Sequence, residues 1–155
     1  MAELRLLSCS VRSWDRDADT FAAEIRRLAP DVVAVRDAPR SLRWRSKRAA
    51  LARKSGLVVA TADRPGGIFV MTTLAVRVVS TGFALLESGS PRHPAVVVVA
   101  QVELRDRRWI VVATSESLSG EAFTRDVEPV LASIGGSETR AFAAIDGLPI
   151  LTVVN

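Results

Sequence analysis

A chain of 155 residues, 48% apolar and 25% charged, has the length and composition of one globular domain with a sizeable core, not of a disordered polymer. Its longest apolar run, 95–100, is far too short to span a bilayer, the acid in Met-Ala-Glu-Leu-Arg-Leu-Leu argues against a secretory signal, and a single cysteine fits a reducing cytoplasm, so a cytoplasmic protein with no membrane partner is expected. One cysteine, Cys9, and one histidine, His93, exclude an internal disulfide framework and a Cys/His zinc site within one chain; the net charge of +4 is compatible with phosphate-rich partners.

Taken in order, 4–11 (Leu-Arg-Leu-Leu-Ser-Cys-Ser-Val) reads as a first strand ending near Ser10, followed by a polar turn through Trp14, Asp15 and Asp17. Phe21, Ile25 and Leu28 recur at helical spacing, which predicts an amphipathic helix over about 18–28. Asp17 or Asp19 can cap its start and Pro30 stops it. The next stretch, Asp31-Val-Val-Ala-Val-Arg-Asp-Ala-Pro39, is a continuous valine-rich run, the pattern of a strand buried on both faces. Strand, helix and strand with short joints form a βαβ unit with parallel pairing. A second helix, 41–55, is closed by Gly56 and is strongly basic: Arg43, Arg45, Lys47, Arg48, Arg53 and Lys54, with Trp44 embedded among them.

Strands then dominate. Leu57–Thr61 and Ile68–Thr72 flank Pro65-Gly66-Gly67 as a hairpin. Leu74–Leu85 and Ala95–Leu104 follow, separated by a Ser/Gly/Pro-rich loop that holds His93. Asp106-Arg-Arg108 turns into a strand over 109–114. A third helix begins at Ser119-Gly120, is kinked by Pro129 and ends at Gly135-Gly136. Ala141–Ile145 and Leu151–Val154 complete the set. The order predicts a single domain over 1–155, an α/β fold with one mixed sheet and helices on at least one face.

Chemistry is expected where strands end. Arg36 and Asp37 follow the second strand, and ligands collect at such carboxyl ends in α/β sheets. A carboxylate there is a candidate metal ligand or acid/base group; the plainer alternative is a solvated charge. Arg43, Arg45, Lys47 and Arg48 could make salt-dependent phosphate contacts, with Trp44 stacked on a base. The plainer alternative is a solvated basic face with Trp44 packed on the sheet. Cys9 reads as buried, and His93 as an exposed loop residue. Gly66-Gly67 lacks the lysine and helix of a phosphate-binding loop.

Four strand ends together resemble the endonuclease/exonuclease/phosphatase superfamily. Its first strand ends in Trp-Asn; here Cys9-Ser10 stand there. Its second ends in Gln-Glu, often with a small residue and proline after it; here the chain reads Arg36-Asp37-Ala38-Pro39. A later strand ends in Thr-His-Leu; here Ser117, in Ala-Thr-Ser-Glu-Ser-Leu118, matches the histidine. The next ends in Gly-Asp-x-Asn; here it is Ile145-Asp146-Gly147-Leu148.

The resemblance implies a four-layer αββα sandwich, of which this chain carries the N-terminal half or more. It also implies phosphoester hydrolysis assisted by Mg²⁺ or Mn²⁺, the metal held by the Asn and Glu positions, with Asp146 orienting the attacking water. Against that scheme the motifs are degenerate. Ser10 replaces an amide, and Leu148 removes another. Asp37 falls about 1.5 Å short of a glutamate unless the backbone adjusts. Ser117 cannot carry the positive charge of an imidazole. The family's closing Asp-His pair has no counterpart in the nine residues that follow Asp146.

Three functions are therefore weighed. The first is a degenerate domain that acts as a binding or self-association module and needs no cofactor; its open apolar sheet face is covered either by a homodimer or by the late strands folding back as a small second sheet. The second is a weak Mg²⁺-dependent phosphodiesterase or nuclease with Asp37, Asp146 and Glu116 as an all-oxygen metal site. The third is non-specific nucleic-acid binding through the basic helix, 42–54.

Overall fold

The structure, a computed structural model, describes residues 3–10, 14–38, 43–62, 67–87, 89–115, 120–134, 139–143 and 150–154. The first strand, β1 (Leu4–Ser10), leads into helix α1 (Trp14–Leu28) and then β2 (Val32–Arg36). Helix α2 (Trp44–Ser55) ends at Gly56, whose φ of 73° places it in the left-handed conformation that closes helices. The hairpin partners β3 (Val58–Val59) and β4 (Phe69–Thr72) follow. Then come β5 (Arg77–Leu86), β6 (Ala95–Leu104) and β7 (Arg107–Thr114). A helical segment starts as α3 (Gly120–Ala122), widens into a π-turn over Phe123–Val127 and ends as α4 (Glu128–Ile134). Strands β8 (Thr139–Ala143) and β9 (Ile150–Val154) are the last described elements.

These strands form two sheets, where the element order alone predicts one and the resemblance implies two. The first has the order β3-β4-β2-β1-β9 and the second β5-β6-β7-β8. The pair β1/β2 is parallel, as the βαβ reading requires, and so is β7/β8. The apolar runs explain the split. Val32 and Ala34 face the layer between the sheets, together with Val96, Val98, Trp109 and Val111. Val33 and Val35 face α1 and α2. Val97 and Val99 face the helical segment around Val127 and Leu131. Helices, sheet, sheet and helix thus stack as a four-layer sandwich, and strands in its middle must be apolar on both sides.

The sheet face left open in the sequence reading is covered by the second sheet of the same chain. Of the two expected covers for that face, the structure shows the late strands folded back as a second sheet. Among the described residues no helix is long and apolar enough to cross a membrane.

Smaller departures have local causes. Helix α1 begins at Trp14, so Asp17 and Asp19 lie inside it rather than capping it; acids are also favourable in a first turn, near the positive end of the helix dipole. Leu74 was expected in a strand but is 86% exposed in the turn before β5. The π-turn ends at Val127, two residues before Pro129, which has no N–H and whose ring crowds the preceding turn.

The turn of residues 73–76 also levels the two sheets. Thr73 N–H donates to Asp31 O, just before β2 starts, and Val76 N–H donates to Thr73 O. β5 therefore starts at the same end of the sandwich as β2. Arg77 pairs with Glu103 and Glu103 with Arg108, which puts the start of β7 at that end too. The carboxyl ends of β1, β2, β7 and β8 consequently share the opposite end.

The Arg77-Glu103-Arg108 row ties three strands. Arg77 Nη2 lies 2.8 Å from Glu103 Oε1, and Arg108 Nε lies 2.8 Å from Oε2. Hydrogen bonds from Arg108 and then Arg77 hold this carboxyl below its usual pKa. A carboxyl depressed on folding stabilises the fold above its unfolded pKa, and that stabilisation is lost as pH falls through the folded value. Glu103→Gln should therefore lower the thermal midpoint at pH 7 in low salt. The gap from the parent should close as pH falls below about 4; a gap of constant size in melts across that range would refute this role for the row.

Candidate functional site

Side chains alternate along a strand, so the core positions fix where the strand ends point. Leu4 and Leu6 of β1 and Val32 and Ala34 of β2 face the second sheet. Continuing that phase, Ser10 and Arg36 also face it, and they are register partners across the parallel pair. Both therefore stand at the mouth of the crevice between the sheets.

Asp37 comes next and would by strict alternation point away. Its φ of 58° breaks the alternation. Aspartate tolerates this left-handed conformation better than most residues. The turn brings its carboxylate to the crevice side, where Oδ2 accepts a hydrogen bond from Ser10 Oγ at 2.5 Å. Arg36 Nε lies 3.3 Å from the same oxygen. The shorter side chain thus reaches the end of β1 after all, because the backbone turns to deliver it.

Gly67 pins this turn. Ala38 N–H donates to Gly67 O at 2.9 Å, and Gly67 has a φ of 66°. A Cβ on Gly67 would lie 2.7 Å from Ala38 O, closer than any real contact allows.

Arg36 is the residue that sequence reasoning under-weighted. Its side chain is only 12% exposed, against 29% for Asp37. Its Nε is buried with no hydrogen-bond partner among the described residues. The signal was available: an arginine at the last position of an apolar strand, in phase with the core face.

Helix α2 flanks this strand end from the other side of the first sheet. Arg48 lies over the Trp44 ring, 4.8 Å from its centroid, and over the Phe69 ring at 5.7 Å. Phe69 pairs with Val35, one residue before Arg36. One face of Trp44 is thus covered by a guanidinium, and Trp44 meets the sheet through Arg48. Arg43 and Arg45 are exposed, and Lys47 is half-buried. Farther along, Lys54 Nζ pairs with Asp19 Oδ1 at 2.6 Å and Arg26 donates to Lys54 O, so this part of the basic run is spent on holding α1 against α2.

Other expected positions carry less. Glu116, Ser117, Asp146 and Leu148 lie outside the described residues. His93 is exposed, and its N–H donates to Ser90 O. Cys9 is buried, and burial pushes its thiol up to about 12. A cavity of about 190 Å³, lined by Thr61, Ala62, Thr81, Gly82, Phe83 and Val98, includes none of the candidate residues.

Of the three carboxylates expected to hold a metal, only Asp37 lies among the described residues. Asp37 already accepts from Ser10 and faces a guanidinium, and a metal would have to displace both. Among the described residues no group of three or more His, Cys, Asp or Glu is placed to hold a metal ion.

No family model matches the chain. No curated protein matches it. Its fold is similar to that of solved structures. The endonuclease/exonuclease/phosphatase from Bacteroides vulgatus superposes with a TM-score of 0.62 at 12% identity, over 86% of this chain and 60% of that one. D. rerio TDP2 complexed with a single-strand DNA product gives 0.59 at 15% identity, over 92% and 59%. ANGEL2, a 2′,3′-cyclic phosphatase in complex with adenosine-2′,3′-vanadate, gives 0.58 at 13% identity, over 85% and 47%. The chain thus spans 60% or less of the length of these structures.

Two outcomes are expected at this end of the fold. Gly67→Ala should cost roughly 1–2 kcal/mol from the left-handed backbone alone, with the clash against Ala38 O adding to it; a denaturant midpoint equal to the parent's would show that the turn is not pinned as described. Cys9 should stay unmodified by a thiol reagent at pH 8 in the native state and react fully in denaturant. Stoichiometric labelling of folded protein would contradict its burial.

Proposed function

We propose that this chain, which has the endonuclease/exonuclease/phosphatase fold, does not hydrolyse phosphoesters and serves as a binding domain. The observation that carries this reading is the direct hydrogen bond between Ser10 and Asp37 with Arg36 beside it. The superfamily resemblance assigns those two strand ends to a metal. Here hydroxyl and carboxylate satisfy each other, and the adjacent cation neutralises the carboxylate. Phosphoester hydrolysis needs groups that stabilise charge developing in the transition state and a way to activate water. A serine bonded to a carboxylate supplies neither, and Arg36 can attract an anion without activating water.

A phosphate-bearing molecule is the ligand class that fits best. Two of the similar structures hold a single-strand DNA product and an adenosine vanadate. The exposed Arg43 and Arg45 beside the same strand end add a salt-sensitive attraction for nucleic acid. That favours nucleic-acid contact along α2 as a second, compatible reading.

The deciding assay is cleavage of plasmid DNA and of a simple phosphodiester with Mg²⁺ or Mn²⁺, beside an Asp37→Ala/Asp146→Ala control. No cleavage above the control is expected. Metal-dependent cleavage that disappears in the control would replace this reading with a hydrolase.

A further inference from the structure

We propose that Arg36 takes the place of a divalent cation in this chain and makes the mouth of the inter-sheet crevice a metal-independent phosphate-binding site. This rests on the non-hydrolytic reading of the same strand ends.

The first support is burial. A guanidinium carries five N–H donors and a charge that survives at any physiological pH. Placing one at 12% exposure is costly unless its donors find acceptors. Asp37, 3.3 Å from Nε, offsets the charge, yet Nε makes no hydrogen bond among the described residues. With Nε turned toward Asp37, oxygens brought by a ligand to the Nη end of the fork would offset that cost.

The second support is direction. Arg36 is in phase with Val32 and Ala34, so it faces the crevice and not the helices. It lies at the end of the sandwich where the carboxyl ends of β1, β2, β7 and β8 collect.

The third support is preorganisation. Ser10 fixes the Asp37 carboxylate, and Gly67 fixes the turn that carries it. Asp37 in turn restrains Arg36. A planar guanidinium fork held still matches two oxygens of one phosphate group. Arg43 and Arg45 on the neighbouring helix raise the local positive potential. The opposing term is Asp37 itself, whose charge repels an incoming anion, so the site should be weak in the parent and sensitive to that charge.

The test titrates the full chain, in EDTA, with inorganic phosphate and with a short single-stranded oligonucleotide bearing or lacking a 5′-phosphate, followed by amide chemical shifts. Phosphate should bind in EDTA, with no gain from Mg²⁺. Arg36→Gln should weaken it about tenfold or more, the loss of a charged hydrogen bond. Asp37→Asn should strengthen it by removing the repulsion, a change that a purely structural role would not produce. Tighter binding of the 5′-phosphorylated strand than of the unphosphorylated one, lost in Arg36→Gln, assigns the site to nucleic-acid ends; free phosphate binding with no difference between the two strands assigns it to the free ion. Both support the site.

Binding that requires Mg²⁺ overturns the proposal, as does binding undiminished in a folded Arg36→Gln variant. Absence of binding overturns it too, and without cleavage in the plasmid assay it leaves the non-hydrolytic reading standing. Cleavage in that assay would instead remove the premise. If Arg36→Gln fails to fold, Arg36→Lys and Asp37→Asn carry the test: Lys keeps the charge and loses the fork, and unchanged affinity in Asp37→Asn overturns the proposal.

Discussion

Burial of the central strands on both faces is the constraint from which the rest of this molecule follows. Val32–Val35 and Val96–Val99 are fully or almost fully buried. Each run sends alternate side chains into the inter-sheet layer and the others toward helices. β-branched residues suit this position, because they pack on a pleated surface and lose little rotamer freedom there. Two sheets that share one dry layer must also end at the same level, or apolar side chains would overhang into water. The turn through residues 73–76 enforces that level. The gathering of strand carboxyl ends at one rim is a consequence of how the core packs.

At that rim the apolar phase runs out while the alternation does not. Arg36 is the next residue on the core-facing side of β2, and Ser10, after the buried Ser8, holds the matching place on β1, so polar groups are carried into a half-buried position by the geometry of their own strands. An arginine delivered there needs a counter-charge. Asp37 supplies it only because the chain leaves the β region for a left-handed conformation, and that conformation is held by the close approach of Gly67 to Ala38. The strained residue, the glycine and the ion pair are one unit. Loss of any member exposes the others to a cost they do not bear together.

The parts legible in the sequence were those written in periodicity and in strand-end chemistry. The paired strands β1 and β2, the basic helix and the order of degenerate motifs could all be read, and they led to the right fold. The division into two sheets came from the resemblance and not from periodicity, since an apolar run records that both faces are buried but not by what. Trp14–Asp17 read as a turn because aspartates serve equally as caps and as first-turn residues. The geometry of Asp37 was invisible for a different reason. Nothing in Arg-Asp-Ala-Pro announces a positive φ, and without it the carboxylate falls on the wrong side of the sheet. Arg36 was therefore read as a terminal charge when its phase with Val32 and Ala34 already placed it in the crevice.

A cation at the junction of two strand ends has two separable effects. It draws anions toward it, and, if it is a metal, it also polarises a phosphoryl oxygen and lowers the pKa of bound water. A guanidinium retains the first effect and lacks the second. It also needs no occupancy: its charge does not depend on free metal concentration or on the protonation of ligands, as a metal site's does. On the reading proposed here, replacing a bound ion by Arg36 uncouples phosphate recognition from hydrolysis in one step. The same replacement explains why Ser10 and Asp37 are free to bond to each other. With the charge built into the chain, neither has to be kept open as a ligand, and the hydrogen bond between them can be spent on holding the guanidinium in place.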